Sequence, residues 1–119
     1  MTPAQFRRLA LRFPEAIEGA HMGHADFRVG GRIFATLGYP SDRFAVVMLS
    51  PQDQDLIMRD HPDTFSPVAG KWGASGSTTV TLARADAKAV SAALEAAWRK
   101  RAPKRVVAEF NEASSRAAE

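Results

Sequence analysis

Two periods alternate in the hydrophobic and polar positions of the chain, and the switches between them mark out its elements. Phe6, Leu9 and Phe13 recur at helical spacing behind Thr2, Pro3 and Gln5, which supply an N-cap, a favoured first helical residue and a capping-box partner. That spacing predicts a helix from about Pro3 to Phe13, stopped by Pro14. Ala16 to Met22 and Asp26 to Val29 read as strands, the second with Phe27 and Val29 alternating with Asp26 and Arg28. Gly30 and Gly31 form a two-residue connection that accepts the positive φ angles of a tight hairpin, ahead of the apolar run Ile33, Phe34, Ala35 and Leu37. Beyond the Gly38 to Arg43 loop, Phe44 to Leu49 is apolar at every position, which predicts a central strand covered on both faces.

Ser50 and Pro51 start a second helix whose inner face carries Leu56 and Ile57 and which ends at Asp60 to Pro62. The segment Phe65 to Gly76, with three glycines around Lys71 and Trp72, reads as a long, shaped loop. Thr78, Val80 and Leu82 then alternate with polar neighbours, the mark of a last strand with one face in the core. Asp86 caps a third helix whose stripe of Val90, Leu94, Ala97 and Trp98 runs as far as Arg101, with Trp98 in the core. Pro103 opens a final helix through Val106, Phe110 and Ala113, with Ser114 to Glu119 fraying into solvent. The sum is one domain over residues 1–119, with its core at about 4–105 and a C-terminal helix and tail over 103–119. Its expected class is α+β: a two-layer domain, mainly an antiparallel sheet of about five strands, with helices packed on one face.

Composition narrows this picture without overturning it. The chain is 119 residues long, 45% hydrophobic and 24% charged, which is enough to bury a core unaided. The absence of cysteine excludes disulfides, thiolate metal sites and a cysteine nucleophile. Met1 to Arg12 reads as an amphipathic helix, not a secretion signal, and the longest apolar run, Phe44 to Leu49, is far short of the roughly 20 residues of a membrane span. A cytoplasmic, monomeric protein without membrane attachment is expected. The formal net charge of +3 is concentrated: Arg99, Lys100, Arg101, Lys104 and Arg105 place five cations in seven positions. Such a cluster suits phosphate, although cations also gather at helix C-termini to complement the dipole.

The candidate chemistry begins with His21, His24 and Asp26, a set that zinc or iron accepts and that also suits a general base, with Asp26 orienting His24. On a continuous strand the two histidines point to opposite faces, so a metal site requires a turn at Gly23 and a third ligand such as His61. Gly73 to Ser77 carries serine where a nucleophile elbow needs its last glycine, and Gly70-Lys71 lacks the first glycine and the Ser/Thr of a phosphate-binding loop. No catalytic residue, metal or cofactor is therefore assigned. Trp72, beside Lys71, either stacks on a base or ring or anchors its loop on the sheet. Arg28, Arg32 and Arg43 sit on or beside the hairpins and extend the basic patch towards a nucleic-acid backbone.

Several of these strings carry a family resemblance. Phe13-Pro14-Glu15-Ala16, Glu18-Gly19, His21, Asp26-Phe27-Arg28-Val29, Gly31 and Ile33-Phe34-Ala35 resemble the N-terminal half of the MmcQ/YjbR family. Val47-Met48-Leu49, Trp72, Thr78 to Leu82 and Ala97-Trp98 are similar to its second half, so the resemblance covers about residues 4–105. It implies a compact sheet with helices on one side, in an arrangement described as double-wing DNA-binding-like, and a biochemical role that is largely unassigned.

The expected function is accordingly non-enzymatic. The first expectation is DNA binding through Arg28, Arg32, Arg43, Lys71, Trp72, Arg99, Lys100, Arg101, Lys104 and Arg105. The alternative is a small-molecule or protein-binding module with a pocket under residues 65–76 and His21, His24, Asp26 and Trp72 near its mouth.

Overall fold

A computed structural model describes residues 1–118. Thr2 caps helix α1 (Pro3–Ala10) through a reciprocal box: its Oγ1 accepts from the Gln5 backbone N–H at 3.1 Å, while Gln5 Oε1 accepts from the Thr2 N–H at 2.8 Å. Six strands follow, β1 (Ile17–His21), β2 (His24–Val29), β3 (Arg32–Leu37), β4 (Phe44–Met48), β5 (Phe65–Pro67) and β6 (Ser77–Thr81). They form one antiparallel sheet in the order β1-β2-β3-β4-β6-β5. The remaining helices are α2 (Pro51–Asp60), α3 (Lys71–Ala74), α4 (Ala87–Arg101) and α5 (Lys104–Ala118).

The register explains which residues reach the core. Phe27 stands opposite Ala35, Ala35 opposite Val47 and Val47 opposite Thr78, while Leu37, Ala45, Val80 and Phe65 form the next row. Cross-strand partners share a face, so these rows make one buried side of the sheet. Phe6 of α1 and the α4 stripe of Ala89, Val90, Ala93, Leu94, Ala97 and Trp98 cover it in a single cluster. Trp98 is fully buried, stacks on Phe13 at 5.8 Å, meets Phe110 edge-on at 5.0 Å and donates its indole N–H to Pro14 O at 3.0 Å. The buried NH is thereby satisfied. The architecture is the two-layer α+β arrangement, with helices against one face.

Four local expectations change. Leu56 does not lie on the inner face of α2: it is exposed, while Ile57 and Met58 pack against the core and Gln54 is the helix's buried residue. Residues 65–76 are not a loop: Phe65–Pro67 pairs with β6 as an edge strand, bringing the sheet to six strands, and Lys71–Ala74 is a turn of helix. A three-residue strand ending in proline is legal only at an edge, where no N–H is needed, and β5 is an edge. α1 stops at Ala10, short of Phe13. At the other terminus, α5 continues to Ala118, through the serines expected to fray, and Glu119 lies outside the described residues. Among the described residues no helix is long and apolar enough to cross a membrane.

The antiparallel register also defines two ends of the sheet. One end gathers the end of β2 and start of β3 at Val29 and Arg32, the end of β4 at Met48, and the start of β6 at Ser77. The other gathers the β1–β2 turn, Leu37, Phe44 and Thr81.

Candidate functional site

At the first end, two contacts bring the C-terminus of α4 against the strands. A Cβ at Gly30, in the β2–β3 turn, would lie 3.0 Å from the ring of Pro103, so that turn packs on the α4–α5 junction. Gly30 and Gly31 both hold positive φ, at 58° and 77°, as a tight hairpin of this hand requires. The second contact is Lys100 Nζ, which donates to Leu49 O at 3.0 Å just beyond β4. Arg32, Lys100 and Arg101 are thereby crowded together. Burial first, then the positive charges of Arg101 and Arg32, pull the Lys100 ammonium below the ordinary lysine range, with Asp53 opposing. Arg101 Nε is buried without a hydrogen-bond partner. Among the described residues no carboxylate lies within ion-pair distance of Arg32, Lys71, Lys100, Arg101 or Lys104.

The same end carries Trp72. Gly76 holds φ at 115°, and a Cβ there would fall 2.0 Å from Leu49 O, the carbonyl that Lys100 caps. At Gly73 an added Cβ would fall 1.6 Å from Val68 O. The two glycines therefore achieve the close packing of α3, and the indole is left 71% exposed. Of the two readings of Trp72, the anchor is excluded: glycine, not tryptophan, fastens the segment. Gln54, buried on α2, completes the brace by donating from Nε2 to Gly73 O at 3.0 Å, Ser77 O at 3.2 Å and Thr78 Oγ1 at 3.2 Å. Nothing in the sequence pattern marked Gln54, a polar residue on an amphipathic helix.

The ten residues of the basic expectation do not form one surface. Arg32, Lys71, Trp72, Lys100, Arg101 and Lys104 share the first end. Arg43 precedes β4 at the opposite end. Arg99 is occupied by Glu95 at 3.0 Å and lies 5.3 Å over the Phe110 ring; Arg105 pairs with Glu109 at 3.3 Å and Glu15 at 3.4 Å.

Arg28 belongs to a different constellation, on the face of the sheet away from α1 and α4. Met22 and Gly23 turn with positive φ of 50° and 80°, so His21 and His24 become cross-strand partners on one face, not residues on opposite faces. Asp26, with no exposed surface, accepts from Arg28 Nε at 2.7 Å, from Arg28 Nη2 at 3.0 Å and from His21 Nδ1 at 2.8 Å. An ionised carboxylate only accepts, which places the His21 proton on Nδ1 and turns Nε2 outward. Asp26 thus orients His21, and His24 instead meets Tyr39 edge-on at 6.0 Å. The Arg28 hydrogen bonds hold the Asp26 carboxyl below the usual range, burial opposes them, and the His21 hydrogen bond adds to the lowering. Gly19 makes room for this, since a Cβ there would sit 2.9 Å from Asp26 Oδ1. The cluster clasps edge strand β1 to β2 and neutralises Arg28.

His61 cannot join these histidines. It packs against Phe65 of β5, at the sheet edge opposite β1, about 24 Å away at five strand spacings. His21, His24 and Asp26, on β1 and β2, lie four to five strand spacings from β5, about 19 to 24 Å, so the four residues Trp72, His21, His24 and Asp26 do not converge on one pocket.

Comparison with known proteins places the fold. The crystal structure of the Deinococcus radiodurans protein DR2400, a DUF419-domain protein, superposes with a TM-score of 0.66 at 19% identity, covering 82% of this chain and 75% of that one. No curated protein sequence matches the chain. The YjbR family model matches residues 11–100, from the end of α1 through the α4 stripe that covers the sheet, and the chain belongs to the YjbR family.

Proposed function

We propose that the protein binds nucleic acid, DNA in the first instance, through the sheet end formed by Arg32, Lys71, Lys100, Arg101 and Lys104. The observation that carries this reading is the crowding of Arg32, Lys100 and Arg101 with no described carboxylate in ion-pair reach, including a buried, unpartnered Nε on Arg101. Like charges held this close repel, and an incoming phosphate relieves the repulsion while releasing its own counterions. Arg28, Arg43, Arg99 and Arg105 are left out, three because carboxylates already hold them and Arg43 because it lies at the other end.

Fluorescence anisotropy of a labelled oligonucleotide at several salt concentrations tests this. Affinity falls steeply with salt, and an Arg32→Gln/Lys100→Gln/Arg101→Gln variant flattens the log–log slope by about 2 to 3 units, at roughly 0.7 to 0.9 for each phosphate no longer neutralised. No binding at about 50 mM salt, or a variant with the unchanged slope, refutes the proposal.

A further inference from the structure

We infer that the nucleic acid taken at this end is single-stranded and that an unpaired base stacks on the face of Trp72. The inference rests on the nucleic-acid reading above and deepens it by naming the form of the ligand.

Three observations converge on it. An indole that is 71% exposed contributes almost nothing to the core, while the chain's other tryptophan, Trp98, is fully buried. The backbone that carries Trp72 is also braced. Gly73 and Gly76 press the backbone against Val68 O and Leu49 O, Gln54 ties α3 to β6, and Ser75 Oγ donates to Lys71 O at 3.0 Å. A segment braced in this way has little backbone freedom left to lose when a ring settles on its indole. The third observation is the surrounding charge. Lys71 adjoins the indole, and Lys100 and Gly76 converge on the single carbonyl of Leu49. Arg32 and the start of β6 stand two strand spacings apart, about 10 Å. Cations that follow a phosphate backbone beside an aromatic that receives a base are the two parts of a single-strand site.

Duplex DNA does not satisfy this arrangement. Its bases are stacked on one another, so an indole meets no free π-face except at a strand end or a flipped base. A protein partner fits less well, because the anchor of a protein interface sits within an apolar surround. The segment 69–76 offers only Ala69 and Ala74 beside Trp72 as exposed apolar side chains.

The experiment compares a short thymidine oligomer with a fully paired, blunt-ended duplex without a loop, at the same phosphate concentration and at low salt. With wild-type protein, the single strand quenches the exposed-indole emission and the duplex does not. Trp72→Ala weakens single-strand binding by about 5-fold to 100-fold, leaves duplex binding unchanged, and Trp72→Phe recovers most of the loss. Equal binding of both ligands with no effect of Trp72→Ala overturns this inference and leaves the phosphate reading standing. Equal loss for both ligands overturns it as well. No binding of either ligand overturns both readings. Self-association that Trp72→Ala abolishes and the oligomer does not disturb would assign the indole to a protein contact, against the inference. The quenching arm uses the unmodified chain, so the result does not depend on how any variant folds.

Discussion

Asp26→Asn isolates the clasp between β1 and β2. The substitution keeps the shape of the side chain and removes the charge that receives three hydrogen bonds, at 2.7, 2.8 and 3.0 Å. Breaking a fully buried ion pair costs about 3–5 kcal/mol, because the partner left behind stays charged and dry. Here the partners are not dry: the side chains of His21 and Arg28 are 41% and 35% exposed and recover water. The asparagine oxygen also still accepts one bond. Discounting for both, the expected loss at neutral pH is about 2 kcal/mol, or roughly 8 °C in Tm for a domain of this size. The pH dependence follows from the direction of the Asp26 shift. A carboxyl whose folded pKa is depressed contributes stability that is present above its unfolded value, about 3.9, and that is lost as pH falls through the lower folded value. Urea denaturation followed by circular dichroism at about pH 7, 5 and 3 should therefore show a full wild-type advantage at the first two and a narrowed one at the third. An advantage of the same size at all three, or none at neutral pH, refutes the claim that the charged carboxylate is what holds the edge strand.

Other perturbations separate packing from binding. Gly73→Ala drives a methyl into Val68 O and should cost more than about 3 kcal/mol or unwind α3, visible in a thermal melt and in the Trp72 emission. Gln54→Leu removes the side-chain tie between α2 and the carbonyls of Gly73 and Ser77, which keep only their backbone donors Gly76 N–H and Val68 N–H, and should cost about 1 kcal/mol by urea denaturation, with a loosened α3 in hydrogen exchange. Trp98→Ala empties the centre of the core and should cost about 3–5 kcal/mol, against almost nothing for Trp72→Ala. Arg28→Ala should destabilise the fold yet change oligonucleotide affinity less than about twofold, because its charge is already neutralised by Asp26.

Local chemistry made much of the fold readable. The Thr2-Gln5 box, the Gly30-Gly31 turn, the Thr78 and Val80 alternation and the Asp86 cap each encode their element within a few residues. What escaped was set by tertiary contact. β5 is three residues long and holds a proline, and only pairing with β6 makes it a strand. α3 contains a glycine where helix propensity is poor, and its reason lies in the close approach to Val68 O. Met22 gives no sign of the positive φ that brings His21 and His24 onto one face, since the tight turn normally announces itself with asparagine, aspartate or glycine. The basic residues were visible as residue types, but ion pairing and the strand ends decide which remain available, and neither is written in spacing.

The most direct test of nucleic-acid binding at this sheet end is a titration of isotope-labelled protein with a short single-stranded oligonucleotide at low salt, followed by amide NMR. The largest shifts should fall on Gly30 to Arg32, Leu49 and Ser50, Lys71 to Gly76 and Lys100 to Lys104, which share one end of the sheet. Shifts centred on Arg43 and Thr81 at the opposite end, or on His21, Asp26 and Arg28, would contradict it, as would a spectrum that does not change.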